Sequence, residues 1–144
     1  MAEKKVLEAK VSLVNGMQFT GAATSGHTLM MDADDEFGGR NAGLRPTELL
    51  LVGLGGCSGM DVLSVLRKKR QPVTGLEINV KGEKALEPPK VYEKIHIEYV
   101  VKGAGVEKQA VESAISLSLE KYCSVGAMLA KTAKITHSYR IVEK

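Results

Sequence analysis

The sequence predicts an α+β fold in the order βββ-α-ββ-αα-β, built around one long buried central helix. Three observations predict it. Short segments at the start, middle and end alternate apolar and polar residues with the period of a half-buried strand. A run from about Thr47 to Lys69 is apolar on nearly every side, as a buried helix is. The strands come in runs instead of alternating singly with helices, and there is no glycine-rich dinucleotide loop in a βαβ unit. At 144 residues the chain can bury a core without staples. It reads as a single domain over residues 1–144, or as two tightly joined halves.

The elements follow in order. Leu7, Ala9, Val11 and Leu13 alternate with Glu8, Lys10 and Ser12, which predicts a strand with one buried face. Asn15-Gly16 is a hairpin signal. A second strand covers about Met17 to Ala23, Ser25-Gly26 turns the chain, and His27 to Met31 forms a third strand. The polar, Gly-rich stretch from Asp32 to Leu44 is a long loop, and long loops in compact domains are often functional. Arg45-Pro46-Thr47-Glu48 opens the long helix, with Pro46 in the first turn, where its missing N–H costs nothing.

That helix carries Gly53, Gly55, Gly56 and Gly59. Each mid-helix glycine costs about 1 kcal/mol relative to alanine. The offsetting gain expected is close approach of another backbone or helix, such as two of these helices crossing in a dimer. A strand with Leu76, Ile78 and Val80 on one face comes next, and Pro88-Pro89 breaks the chain. Ile95, Ile97, Tyr99 and Val101 mark another strand. An amphipathic helix is predicted from about Glu107 to Tyr122, with a stripe of Ala110, Val111, Ala114, Ile115 and Leu119. A shorter helix runs from near Cys123 to near Lys131. The last strand has Ile135, His137, Tyr139 and Ile141 on one face.

The composition excludes some classes. The net charge is only +3 and the basic residues are scattered, apart from Arg67-Lys68-Lys69-Arg70. That cluster ends a helix, where cations suit the macrodipole, and no aromatic stacking residues accompany it. Nucleic acid is therefore not an expected partner. The apolar stretch Leu49 to Met60 is too short for a membrane span and stops at Asp61, so no membrane is expected either. The N-terminus lacks an apolar signal core. These features predict a cytoplasmic protein, whose thiols are normally reduced.

The two cysteines carry most of the chemistry. Neither belongs to a C-x-x-C pair and no His cluster surrounds them, so no metal site is expected. Cys57 lies mid-helix among glycines and needs an Arg or Lys to ionise. Cys123 lies near the start of a short helix, whose dipole favours the thiolate. Asp61, four residues after Cys57, shares its face and disfavours a thiolate there unless a cation intervenes. Glu48 is about half a turn out of phase with Cys57. His137 reads as a core residue and His96 as solvent-facing. His27, beside the long loop, is the one histidine kept as a site candidate.

Pro46-Thr47-Glu48-Leu49-Leu50, then Gly55-Gly56-Cys57, and Glu120-Lys121-Tyr122-Cys123 resemble the OsmC/Ohr family of osmotically inducible and organic-hydroperoxide-resistance proteins. The order of elements extends the resemblance over nearly the whole chain. It implies an intertwined homodimer with two sites at the subunit interface. It also implies a thiol-dependent peroxidase that reduces organic hydroperoxides, and hydrogen peroxide more weakly, in oxidative-stress defence. Carried over by position, Cys57 is the peroxide-attacking thiol and Cys123 the resolving one. A dithiol reductant, lipoyl-type or other, resets the pair, and no metal or organic cofactor is required.

The chain departs from the family in two places. In peroxidase members an acid directly follows the proline and pairs with an arginine from an early strand. Here Thr47 follows Pro46 and the acid is Glu48. No Arg precedes Arg40, so Lys10, Arg40 and Arg45 are the cation candidates for activating Cys57. This marks a divergent OsmC-like subgroup. The alternative reading is a non-catalytic dimer that binds a small apolar or electrophilic molecule at its interface, with the cysteines as packing residues.

Overall fold

The computed structural model describes residues 2–143. Its contacts divide the chain into two compact units, Met1–Leu49 and Leu50–Lys144.

The first unit is the expected meander. Strands β1 (Ala9–Asn15), β2 (Gln18–Ala23) and β3 (Thr28–Met31) pair antiparallel in that order. Asn15 pairs with Gln18 across a turn on Gly16 and Met17. Gly16 has φ +55°, a left-handed conformation that glycine adopts at no steric cost. The buried face expected of β1 is not buried within one chain, since Val11 and Leu13 are 55% and 62% exposed.

The loop after β3 is organised from within by Asp32, which is buried. Its carboxylate accepts the backbone N–H of Ala33 at 2.8 Å, of Ala42 at 3.0 Å and of Arg40 at 3.1 Å. These bonds, that of Ala33 foremost, hold the Asp32 carboxyl below its ordinary range. The first unit therefore contains a charged group whose acceptor capacity is used to shape the chain.

Helix α1 (Pro46–Lys68) begins at the proline, as its sequence predicts. Glu48 Oε1 accepts the Arg45 N–H at 2.8 Å, half of a capping box. The buried side of α1 is a stripe of Leu54, Gly55, Ser58, Gly59, Val62 and Leu66. The rest of the helix surface is open, with Leu50, Val52 and Met60 46%, 58% and 75% exposed. The all-round burial read from the sequence is thus met on one side only within a single chain. By length and composition alone α1 passes for a membrane span, but that stripe packs into the core.

The glycines of α1 also divide in two. A Cβ on Gly55 would meet Val80 Cγ2 at 3.2 Å, and one on Gly59 would meet Ile78 Cγ1 at 3.1 Å. These two let the helix close on its own sheet, not on another helix. A Cβ on Gly53 or Gly56 would meet nothing within 4 Å.

That sheet holds β4 (Gly75–Lys84), β5 (Tyr92–Lys102) and β6 (Lys134–Val142) in the order β4-β5-β6. β4 runs antiparallel and β6 parallel to β5. Ile95, Ile97, Tyr99 and Val101 of β5 bury the face that their alternation predicts, with Ala110, Val111, Ala114 and Ile115 of α2 (Lys108–Leu117) in the same core.

The helix expected from Glu107 to Tyr122 is not continuous. It gives way after Leu117 to a widened π-helical turn over Ser118–Tyr122, followed by α3 (Ser124–Leu129). The turn closes with the Cys123 N–H donating to the Ser118 carbonyl, five residues back, at 2.7 Å. His137 is exposed and not a core residue, although Ile135, Tyr139 and Ile141 of the same alternation are half-buried. His96 is partly buried, its ring nitrogens 2.7 Å from Thr136 Oγ1 and 2.9 Å from Ser138 Oγ.

Candidate active site

The second unit brings the two cysteines together. Cys57 comes from the middle of α1 and Cys123 from the junction between the π turn and α3. Their sulfurs and a carboxylate oxygen of Asp61 all lie within 4.8 Å of one another. Cys57 is half-buried and Cys123 is only 3% exposed; both are free thiols. Asp61 reaches the sulfurs because it sits one turn after Cys57 on α1, as the four-residue spacing requires.

Asp61 is held by a chain of hydroxyls. Tyr99 Oη lies 2.6 Å from Ser58 Oγ, which lies 2.8 Å from Ser118 Oγ. Ser118 Oγ donates to Asp61 Oδ2 at 3.0 Å. A hydroxyl has one hydrogen to give. Since that of Ser118 goes to Asp61, Ser58 must donate to Ser118 and Tyr99 to Ser58. The direction of the chain is therefore fixed, and it ends on a carboxylate facing two sulfurs. Among the described residues no buried side-chain polar atom lacks a partner.

The electrostatics differ from the sequence expectation. Cys123 is the N-cap of α3 and accepts the Gly126 N–H at 3.3 Å, the geometry expected to favour its thiolate. Burial outweighs it. The Cys123 thiol is pushed up to about 11, first by burial, and then by its hydrogen bond with Cys57 and the negative charges of Cys57 and Asp61. Tyr99 is likewise pushed up to about 12, chiefly by burial.

The other candidates lie in the first unit. Arg45 is committed to the loop: its Nε donates to Asp34 Oδ1 at 3.0 Å, Nη1 to the Gly43 carbonyl at 2.9 Å and Nη2 to Asn41 Oδ1 at 2.9 Å. A further bond from Nη2 to Asp34 Oδ1 is the main reason its pKa is raised. Arg40 is exposed and gives its backbone N–H to Asp32. Lys10 is exposed on β1, opposite Ala22. Glu48 is exposed at the helix start, where it caps the Arg45 N–H. His27 is exposed, its Nδ1 3.1 Å from Ser25 Oγ.

The comparisons with known proteins decide the family. A model of the OsmC-like protein family matches residues 38–138. This chain belongs to the OsmC-like family. It is 40% identical to protein YhfA of Escherichia coli K12 over 136 residues, covering 94% of this chain and 98% of that one. The crystal structure of a hypothetical protein from Aquifex aeolicus VF5 is 39% identical with a TM-score of 0.81, covering 97% of this chain and all of that one. The organic hydroperoxide resistance protein OsmC of Legionella pneumophila shares the fold, with a TM-score of 0.72 at 15% identity over 96% of this chain and 98% of that one.

Three residues of the site were not identified from the sequence: Ser58, Ser118 and Tyr99. A serine in the buried stripe of a glycine-rich helix was the available signal for Ser58. Tyr99 signalled itself as a hydroxyl on an apolar strand face. Ser118 had no signal, because the π turn that aims it carries no local mark.

Proposed function

We propose that the protein is a thiol-dependent peroxidase that reduces organic hydroperoxides, and hydrogen peroxide more weakly, through a Cys57/Cys123 redox pair. The observation that carries this reading is the meeting of two sulfurs from distant parts of the chain within 4.8 Å. Family membership and the hydroperoxide-resistance proteins among its structural relatives support it.

Cys57, the less buried thiol, is the attacker. Its thiolate takes the distal oxygen of the hydroperoxide, the O–O bond breaks, and the alkoxide leaves as an alcohol after taking a proton. Cys57 becomes a sulfenic acid. The Cys123 sulfur then bonds to the Cys57 sulfur, and the sulfenic oxygen leaves as water. A dithiol reductant transfers two electrons and two protons to the disulfide and is itself oxidised. Asp61 is the carboxylate placed to pass protons between the sulfurs and the leaving oxygens. Glu48 and one of Lys10, Arg40 and Arg45 remain the candidates for activating Cys57. The setting is the cytoplasm, where thiols are kept reduced.

In this reading the working unit is a homodimer, with a second copy covering the open side of α1. The exposure of Leu50, Val52 and Met60, beside the open space at Gly53 and Gly56, supports it. Gly56→Leu should then weaken the dimer, read by sedimentation over a range of concentrations. An oligomeric state unchanged by this variant would count against the arrangement.

The deciding test is mass spectrometry after one equivalent of cumene hydroperoxide. A Cys57–Cys123 disulfide is expected, and two persisting free thiols would refute the reading. Cys57→Ser should abolish turnover, and Cys123→Ser should leave a trapped sulfenic acid. The second reading, a non-catalytic dimer that binds a small apolar or electrophilic molecule, draws on the groove of about 460 Å³ lined by Leu51, Val52, Gly55, Gly56, Ile78 and Val80. It gains if peroxide leaves both thiols free while such a molecule still binds.

A further inference from the structure

We propose that Cys57, Cys123 and Asp61 form a binding site for a thiophilic divalent cation, zinc in particular, in the reduced protein. This goes beyond peroxide chemistry and does not depend on it.

The spacing fits. Zinc holds thiolate sulfur at about 2.3 Å and carboxylate oxygen at about 2.0–2.2 Å, so two sulfurs on one tetrahedral ion stand about 3.8 Å apart. The two sulfurs and the Asp61 oxygen lie within 4.8 Å of one another before any ion draws them in. Three protein ligands leave one of zinc's four positions for water or a small ligand.

The supporting shell is a separate observation. Metal-ligating carboxylates are usually hydrogen-bonded from behind, and those partners fix their orientation. Asp61 has such a partner in Ser118 Oγ, at 3.0 Å on Oδ2, backed by Ser58 and Tyr99. Cys123 has the Gly126 N–H at 3.3 Å. Asp61 is held through Oδ2, which leaves its other carboxylate oxygen without a bond from Ser118, and the amide N–H on Cys123 acts on the ligating sulfur itself, as an outer-shell donor to a metal thiolate does.

The charges also balance. Two thiolates and a carboxylate carry three negative charges, and a dication cancels two of them. Lys68 and Lys69 line the same surface pocket of about 480 Å³ as Asp61, which puts cations on the side of the remaining charge. That pocket gives Asp61 a route to solvent. Binding replaces two S–H bonds with two metal–sulfur bonds and releases two protons, with no change of oxidation state. Because a disulfide removes both thiolates, metal binding and oxidation exclude one another.

The test uses the full-length reduced protein without peroxide, so its outcome is independent of any peroxidase activity. Zinc is titrated in competition with a chromophoric chelator, and cobalt(II) is added as a spectroscopic substitute. One ion per chain is expected, with sulfur-to-cobalt charge-transfer absorption and protection of both thiols from alkylation. Cys57→Ser should abolish the charge-transfer signature of paired thiolates. Asp61→Asn, which leaves both cysteines in place, should weaken zinc binding by at least roughly tenfold. No zinc held by the reduced wild type would overturn the proposal. So would a cobalt complex without sulfur absorption, or an affinity indifferent to Asp61→Asn.

Discussion

Asp32 and Asp61 are both drawn in from solvent, yet they are used in opposite ways. Asp32, in the first unit, accepts three backbone N–H groups and holds a loop in shape. Asp61, in the second unit, accepts one hydrogen bond among the described residues, from Ser118, and faces two sulfurs. A carboxylate surrounded by amides has its charge fully answered and nothing left to offer a reactant. One held from a single side keeps acceptor capacity for chemistry. Under the proposed function, counting what each already accepts separates a structural acid from a reactive one.

The sharpest way to break this comparison is Asp61→Asn. If Asp61 carries protons for the redox pair, peroxide turnover should fall by roughly 10²–10⁴-fold while the fold persists. Stopped-flow peroxide consumption with circular dichroism checks both. Turnover within a few-fold of wild type would place Asp61 beside Asp32 as a structural group.

Asp32→Ala should do the reverse. It leaves three backbone donors unpaired, so the unfolding temperature should drop, and amide exchange at Ala33, Arg40 and Ala42 should speed up. The acid side follows from the lowered pKa of Asp32. A carboxyl depressed on folding adds stability that is present above its unfolded value, about 3.9, and is lost as pH falls through the folded value. The variant should therefore lose stability less steeply than wild type in acid denaturation.

A smaller effect lies at the alkaline end. Cys123 is raised from 9.0 to about 11. Its folded state prefers the neutral thiol, so its contribution is complete below the unfolded pKa and is lost as pH rises toward 11. Peptide-resolved alkylation of the native reduced protein should show Cys123 reacting appreciably only as pH approaches 11. Asp61→Asn should move that onset to lower pH, since the Asp61 charge contributes to the rise. Fast alkylation of Cys123 near neutral pH would contradict the burial argument.

Much of the fold was legible because its signals are periodic. Alternation located β1, β4, β5 and β6, the turn signals at Gly16 and Gly26 set off β2 and β3, and Pro46 marked the start of α1. The misreadings share a physical cause: sequence periodicity says that a face is apolar, not what covers it. Val11, Leu13 and Met60 belong to apolar faces that one chain leaves open. His137 sits in an apolar pattern on a strand paired along a single side. At the site, the two cysteines and the shared face of Asp61 were readable from spacing along one helix. The Tyr99–Ser58–Ser118 chain was not, because three different elements contribute its members. That Cys123 meets Cys57 and Asp61 was not readable from spacing for the same reason: folding, not sequence proximity, delivers Cys123.

The π turn at Ser118–Tyr122 has one more consequence. Residues five apart on an ordinary α-helix point about 140° away from each other. The extra residue in this turn lets Ser118 reach Asp61 while Cys123 meets Cys57. The wide turn therefore acts as a timing gear between two side chains. Deleting one of its residues would restore regular winding and put the pair out of step, disarming the site without altering a single reactive group.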